Sequence, residues 1–132
     1  MQKGIMMFEI GVVAQFEAAH RLVGDFGPAQ RMHGHTYRVE VGVQGATLAA
    51  DGTLVDISLI QARLGDVVGR LHYQNLDEVP GLIGRNTTAE VVADFIWAEL
   101  ASVLHQRGLA QLRVAVWESP QAWAAITKEL VP

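Results

Sequence analysis

Two long alternating runs near the start of the chain constrain its fold more than any other feature. The even positions read Phe8, Ile10, Val12, Ala14 and Phe16 against Glu9, Gly11 and Gln15, and the even face continues to Ala18 and His20. From His33 to Gln44 the odd positions read His33, His35, Tyr37, Val39, Val41 and Val43, against Arg38, Glu40 and Gln44. A period of two is that of a strand with one buried face, because successive side chains leave opposite sides of the pleat. Between the runs, Val23 to Gln30 carries the Gly, Asp and Pro of a loop. A bulge in so long a first strand would shift its parity, whereas an unbroken strand puts His20 on the apolar face with Phe16.

The rest of the chain supplies what covers that face. Ile60, Leu64, Val67, Val68 and Leu71 recur at the spacing of an amphipathic helix, with Asp56 or Ser58 placed to cap it. Thr87-Thr88-Ala89-Glu90 matches a capping box led by Thr87, and Val92, Phe95, Ile96, Leu100, Val103 and Leu104 carry a second helix to about Gln106, before Gly108. His72 to Arg85, with Pro80-Gly81 and Gly84, reads as a long irregular connection of the kind that often serves function. Strands over Gln111 to Trp117 and about Trp123 to Lys128, turning at Ser119-Pro120, close the chain. The order ββααββ predicts an α+β fold: a four-stranded antiparallel sheet with both helices on one face and edges available for oligomerisation.

Size and composition exclude several classes. The 132 residues suit one domain spanning 1–132, with residues 1–6 a disordered start and no secretory signal, which points to the cytoplasm. No run approaches the roughly 18 apolar residues of a membrane span. A net charge of −4 disfavours a broad nucleic-acid surface. The chain contains no cysteine, which removes disulfides, thiolate ligands and thiol catalysis together.

Three strands each end an apolar face on a polar residue: His20 after Ala18, His33 and His35 before Tyr37, and Glu118 after Val116. A polar group buried without a partner costs about 1–3 kcal/mol, so each needs one. Separate backbone partners would serve. So would one pocket in which three imidazoles hold a zinc ion and leave a fourth position open, the ligand count of a catalytic site.

The segments Phe16-Glu17-Ala18-Ala19-His20-Arg21-Leu22, Met32-His33-Gly34-His35-Thr36-Tyr37, Leu54-Val55-Asp56, Asn86-Thr87-Thr88-Ala89-Glu90 and Val116-Trp117-Glu118-Ser119 together resemble the signatures of the 6-pyruvoyltetrahydropterin synthase family, which includes the 6-carboxytetrahydropterin synthases of queuosine biosynthesis. They occur in the family's order over nearly the whole chain. The resemblance implies the tunnelling fold (T-fold), in which three subunits join their sheets into a barrel and two rings stack into a homohexamer with active sites between subunits. It further implies zinc on His20, His33 and His35, a pterin substrate such as dihydroneopterin triphosphate held by Glu118, and lyase chemistry. Thr88 matches a threonine that helps hold the pterin, although the proline preceding it in the family is Thr87 here; a plain helix-start role suits Thr88 as well. Arg21, Arg31 and Lys128 are cations that a triphosphate could meet, or simply exposed charges.

The chain departs from the family pattern at the acid and base positions. The proton-abstracting cysteine, four residues before the first histidine of His33-Gly34-His35, is Ala29, and Pro28-Ala29-Gln30 offers no carboxylate in its place. The family's Leu-Asp-His segment falls on Leu71-His72-Tyr73. One expectation is therefore a lyase in which His72 and Tyr73 take over proton transfer. The other is a zinc-containing pterin- or purine-binding paralogue without the lyase activity.

Overall fold

The computed structural model describes residues 6–131. The disordered start expected over residues 1–6 falls, for 1–5, outside the described residues. The first strand, β1 (Phe8–His20), runs unbroken and pairs antiparallel with β2 (His33–Gly45) along its whole length, from Phe8 opposite Gly45 to His20 opposite His33. No bulge intervenes in that pairing, so the parity read from the sequence holds and Phe16 and His20 are both buried.

Helix α1 (Ile57–Leu71) starts at Asp56, whose carboxylate accepts the Ser58 N–H at 3.0 Å, and it buries the five apolar residues of its stripe. Helix α2 (Ala89–Leu104) packs on the sheet's later strands, β4 (Gln111–Ser119) and β5 (Ala122–Glu129), while α1 packs on β1. The Trp97 indole N–H donates to the Leu112 carbonyl at 2.7 Å, tying α2 to β4 inside the core. Both helices lie on the face built by Phe16, Tyr37, Val39, Val114 and Val116.

Two expectations change. The sheet has five strands, not four, because Gln74–Asn75 in the long connection forms a short strand, β3, parallel to β1 at Ala18 and Ala19 and giving the order β3-β1-β2-β4-β5. Two polar residues between Tyr73 and Leu76 give no alternation to read. The α2 cap is Thr88, whose hydroxyl accepts the Val91 N–H at 3.2 Å, not Thr87, and the helix ends at Leu104, with Gln106 beyond it at φ 64°. Thr87 is fully buried and bonds elsewhere.

Candidate metal and pterin site

The ladder between β1 and β2 assembles the site. His20 faces His33 directly, and the small side chain of Ala18 faces His35, leaving room for three rings at one end of the sheet. The ring centroids lie 4.6 Å apart for His20 and His33, 5.1 Å for His20 and His35 and 4.8 Å for His33 and His35, and one nitrogen from each lies within 4.8 Å of the other two.

Hydrogen bonds on the far side of two rings decide which nitrogen is free. His20 Nδ1–H donates to the Thr87 carbonyl at 2.7 Å, and His33 Nδ1–H donates to the Arg31 carbonyl at 2.7 Å. Each leaves a bare lone pair on Nε2, the arrangement common to imidazoles that bind metals. The Nε2 atoms of His20 and His35 are buried and lack a hydrogen-bond partner among the described residues, a costly state for isolated polar groups. Burial, first, holds His35 below the usual imidazole range; Glu118 opposes this, and the neighbouring His20 and His33 reinforce it. Convergent, and with two of their nitrogens buried and otherwise unpaired, the three rings fit a divalent ion with nitrogen ligands.

Tyr37 closes the floor beneath the triad. It is fully buried, stacks on Phe16 at 4.8 Å between centroids and meets His35 edge-on at 5.3 Å. Its hydroxyl has no hydrogen-bond partner among the described residues, and burial, followed by the carboxylates of Glu118 and Asp77, pushes its ionisation far above the ordinary phenol range. It is a neutral O–H at any working pH. In the sequence Tyr37 reads only as part of an apolar face.

The other expected residues divide into two groups. Thr88 and Glu118 line a single cavity of about 240 Å³ together with Leu22, Phe26 and Trp123. Tyr73 lies on the opposite side of β1, in an open cleft of about 540 Å³ that it shares with Glu17 and His35. His72 caps the C-terminus of α1, its Nδ1 accepting the Glu17 N–H at 3.1 Å, and its ring lies 3.9 Å from that of Tyr73. Tyr73 is 76% exposed at φ 58° and donates its N–H to the Glu17 carbonyl. His35 thus borders the cleft of Tyr73, while Glu118 and Thr88 form a separate pocket within the same chain. Ala29 is half-buried, and its carbonyl accepts the Leu22 N–H at 2.9 Å, which pins this turn against the chain just after β1. Thr87, bonded to His20, and Asp77, bonded to Thr87, had no distinguishing signal beyond the irregular connection and the missing proline.

Comparison with known proteins identifies the family. The family model for 6-pyruvoyl tetrahydropterin synthase matches residues 9–129. The 6-pyruvoyl tetrahydrobiopterin synthase of Dictyostelium discoideum is 33% identical over 97 residues, covering 64% of this chain and 72% of that protein. The 6-carboxy-5,6,7,8-tetrahydropterin synthase of Synechocystis is 34% identical over 90 residues, covering 64% and 68%. The solved 6-pyruvoyl tetrahydropterin synthase of Caenorhabditis elegans superposes with a TM-score of 0.80 at 23% identity, over 96% of this chain and 99% of that one, which establishes the shared T-fold. A match from Glu9 to Glu129, spanning every element that builds the histidine cluster, places the chain in the 6-pyruvoyl tetrahydropterin synthase family of lyase-type enzymes.

Proposed function

We propose that the protein is a zinc-dependent lyase acting on dihydroneopterin triphosphate or a close relative, with chemistry like that of the 6-carboxytetrahydropterin synthases and a place in queuosine biosynthesis. The observation that carries this reading is the pair of buried Nε2 atoms, on His20 and His35, that converge with His33 and have no hydrogen-bond partner among the described residues. When bound there, zinc polarises the substrate's side-chain oxygens and acidifies the adjacent C–H bonds.

The remaining work falls to the chain. The Glu118 carboxylate accepts two parallel hydrogen bonds from the amino and ring N–H groups of a pterin edge. The Thr88 oxygen already accepts from Val91, so its own O–H is free to donate into the cavity it shares with Glu118. His72 accepts at Nδ1, so its neutral ring carries the proton on Nε2 and acts first as an acid; Tyr73, beside it, is a second donor. To act as a base, His72 must first pass on that Nε2 proton.

The same reading takes the working form to be a homohexamer, a dimer of trimers, in the cytoplasm. Edges favour it: among the described residues β5 has no strand beyond it, and β3 covers β1 only at Ala18 and Ala19. Closing three sheets into a ring removes those edges and brings further residues to each site. Among the described residues no helix is long and apolar enough to cross a membrane.

The deciding experiment incubates the zinc-loaded protein with dihydroneopterin triphosphate and identifies the product by mass. A carboxy- or pyruvoyl-tetrahydropterin product is expected. Ala29 in place of the abstracting cysteine favours the rival, a zinc-containing pterin- or purine-binding paralogue. Tight binding with no turnover would establish the rival.

A further inference from the structure

Thr87 and Asp77 form a hydrogen-bond chain that ends on a candidate metal ligand. The Thr87 hydroxyl donates to Asp77 Oδ1 at 2.7 Å, which turns its lone pairs toward His20 Nδ1, 3.3 Å away. The same Nδ1–H meets the Thr87 carbonyl at 2.7 Å, so one residue accepts from His20 through two oxygens. Asp77 Oδ2 accepts the backbone N–H of Arg21, the residue following His20, at 3.1 Å. A single carboxylate therefore grips both the ligand's backbone and the residue that orients its ring.

The direction of donation is set at every link. Asp77 accepts only, so the threonine hydroxyl points its hydrogen away from His20 and offers it an acceptor. His20 must then hold its proton on Nδ1 and present a bare Nε2, the nitrogen that is buried and unpartnered at the triad. Thr87 is fully buried and His20 is 1% exposed, so water does not compete for these bonds.

We propose that Asp77 and Thr87 are positioning residues that lock the His20 tautomer and ring angle and thereby set how tightly this chain holds its metal. This rests on the metal reading of the triad given above. A carboxylate joined to a ligand imidazole through one hydroxyl raises the ring's basicity and removes the need to reorganise on binding.

The test measures zinc affinity of the chelator-stripped full chain by competition with a chromophoric chelator. Thr87→Val keeps the shape and the carbonyl but removes the hydroxyl, and should bind zinc roughly tenfold more weakly. Thr87→Ser restores the hydroxyl and should bind like the wild type. Asp77→Asn should weaken binding more in the wild-type background than in Thr87→Val, because part of its effect passes through the hydroxyl. Thr87→Val with wild-type affinity, or two fully additive effects, would overturn the proposal. Should Thr87→Val fold poorly, nitrogen-15 spectra of the zinc-loaded wild type decide: His20 protonated on Nδ1 supports the proposal and protonation on Nε2 overturns it. A wild type that takes up no zinc overturns the metal reading as well, which separates that failure from this one.

Discussion

His20 and His33 stand directly opposite each other across the β1–β2 ladder with ring centroids 4.6 Å apart. Neither ring can move without breaking a bond from its Nδ1 to a backbone carbonyl, Thr87 in one case and Arg31 in the other. Such a site is organised before any ligand arrives, and its rigidity comes from strand register. Removing one ring should therefore abolish binding without disturbing the sheet. His33→Ala, at the half-buried strand end, is expected to reduce zinc from about one equivalent per chain to near none by elemental analysis, with the circular dichroism spectrum unchanged. Full zinc content in this variant would refute the assignment of His33 as a ligand.

Glu118 sits where the β4–β5 pairing shifts register between Trp117 and Ser119, and it lies in the cavity with Thr88 rather than within the group of three histidines. Glu118→Gln keeps the size and one acceptor but loses the charge-assisted pair of hydrogen bonds. Hydrogen bonds to charged groups contribute about 1.5–3 kcal/mol, so pterin affinity should fall roughly ten- to a hundredfold by calorimetric titration. Zinc content should not change. Unaltered pterin binding would mean that Glu118 is a strand-end carboxylate and no more.

Trp97 links the helix layer to the sheet through its bond to the Leu112 carbonyl, and Lys128 Nζ sits 4.4 Å from its ring. Trp97→Phe retains an aromatic ring in the core but leaves the buried Leu112 carbonyl without that donor. The expected loss is about 1–3 kcal/mol in urea unfolding, with the m-value preserved. A change below a few tenths would show that the carbonyl finds another partner.

Asp94 offers a pH test. Its bond from Arg85 at 3.0 Å holds the carboxyl below its ordinary value of 3.8, against the opposing effect of partial burial and with help from Lys128 at 3.3 Å. A depressed folded value means that the unfolded chain takes up the proton first, so the stabilisation is complete above about 3.8 and disappears as pH falls through the lower folded value. The pairs are more than a third exposed to solvent, which limits the contribution to about 0.2–1 kcal/mol. Asp94→Asn should be less stable than the wild type by that amount at neutral pH and equal to it at the acid end. A gap that persists unchanged in acid would assign the effect to packing.

Much of the site was legible because alternation carries register. Once Phe16 and Tyr37 point inward, parity alone sends His20, His33 and His35 to the same side, and antiparallel pairing needs only a short loop to bring them level. The outer chain of Asp77 and Thr87 was not legible, since it depends on how an aperiodic connection folds back over the strand end. Thr87 and Thr88 are adjacent and chemically identical, so propensity cannot say which caps the helix; burial decides it, with Thr87 drawn into the core by His20 and Asp77. β3 was missed for the same reason, being a two-residue strand defined by its partner rather than by its own pattern.

The residues proposed for proton transfer pose the sharpest question, because His72 is held by its Nδ1 against the Glu17 N–H. In that state its free nitrogen carries a hydrogen and donates. If His72 is the acid of the reaction, His72→Ala should cut turnover by 10²- to 10⁴-fold, the usual contribution of a positioned acid or base, while zinc and pterin binding persist. The missing base makes a complementary prediction at Ala29, whose backbone is pinned to Leu22 on the turn leading to β2. Ala29→Cys places a thiol where the family pattern has one, on a position already held in place. Turnover of dihydroneopterin triphosphate should rise in this variant, with a new dependence on a group titrating near the thiol range. If the wild type proves inactive and Ala29→Cys active, the chain is a binder that lost one atom of its catalytic apparatus. If both are active at the same rate, the proton leaves by another route, and His72 after release from Glu17 is the group to follow.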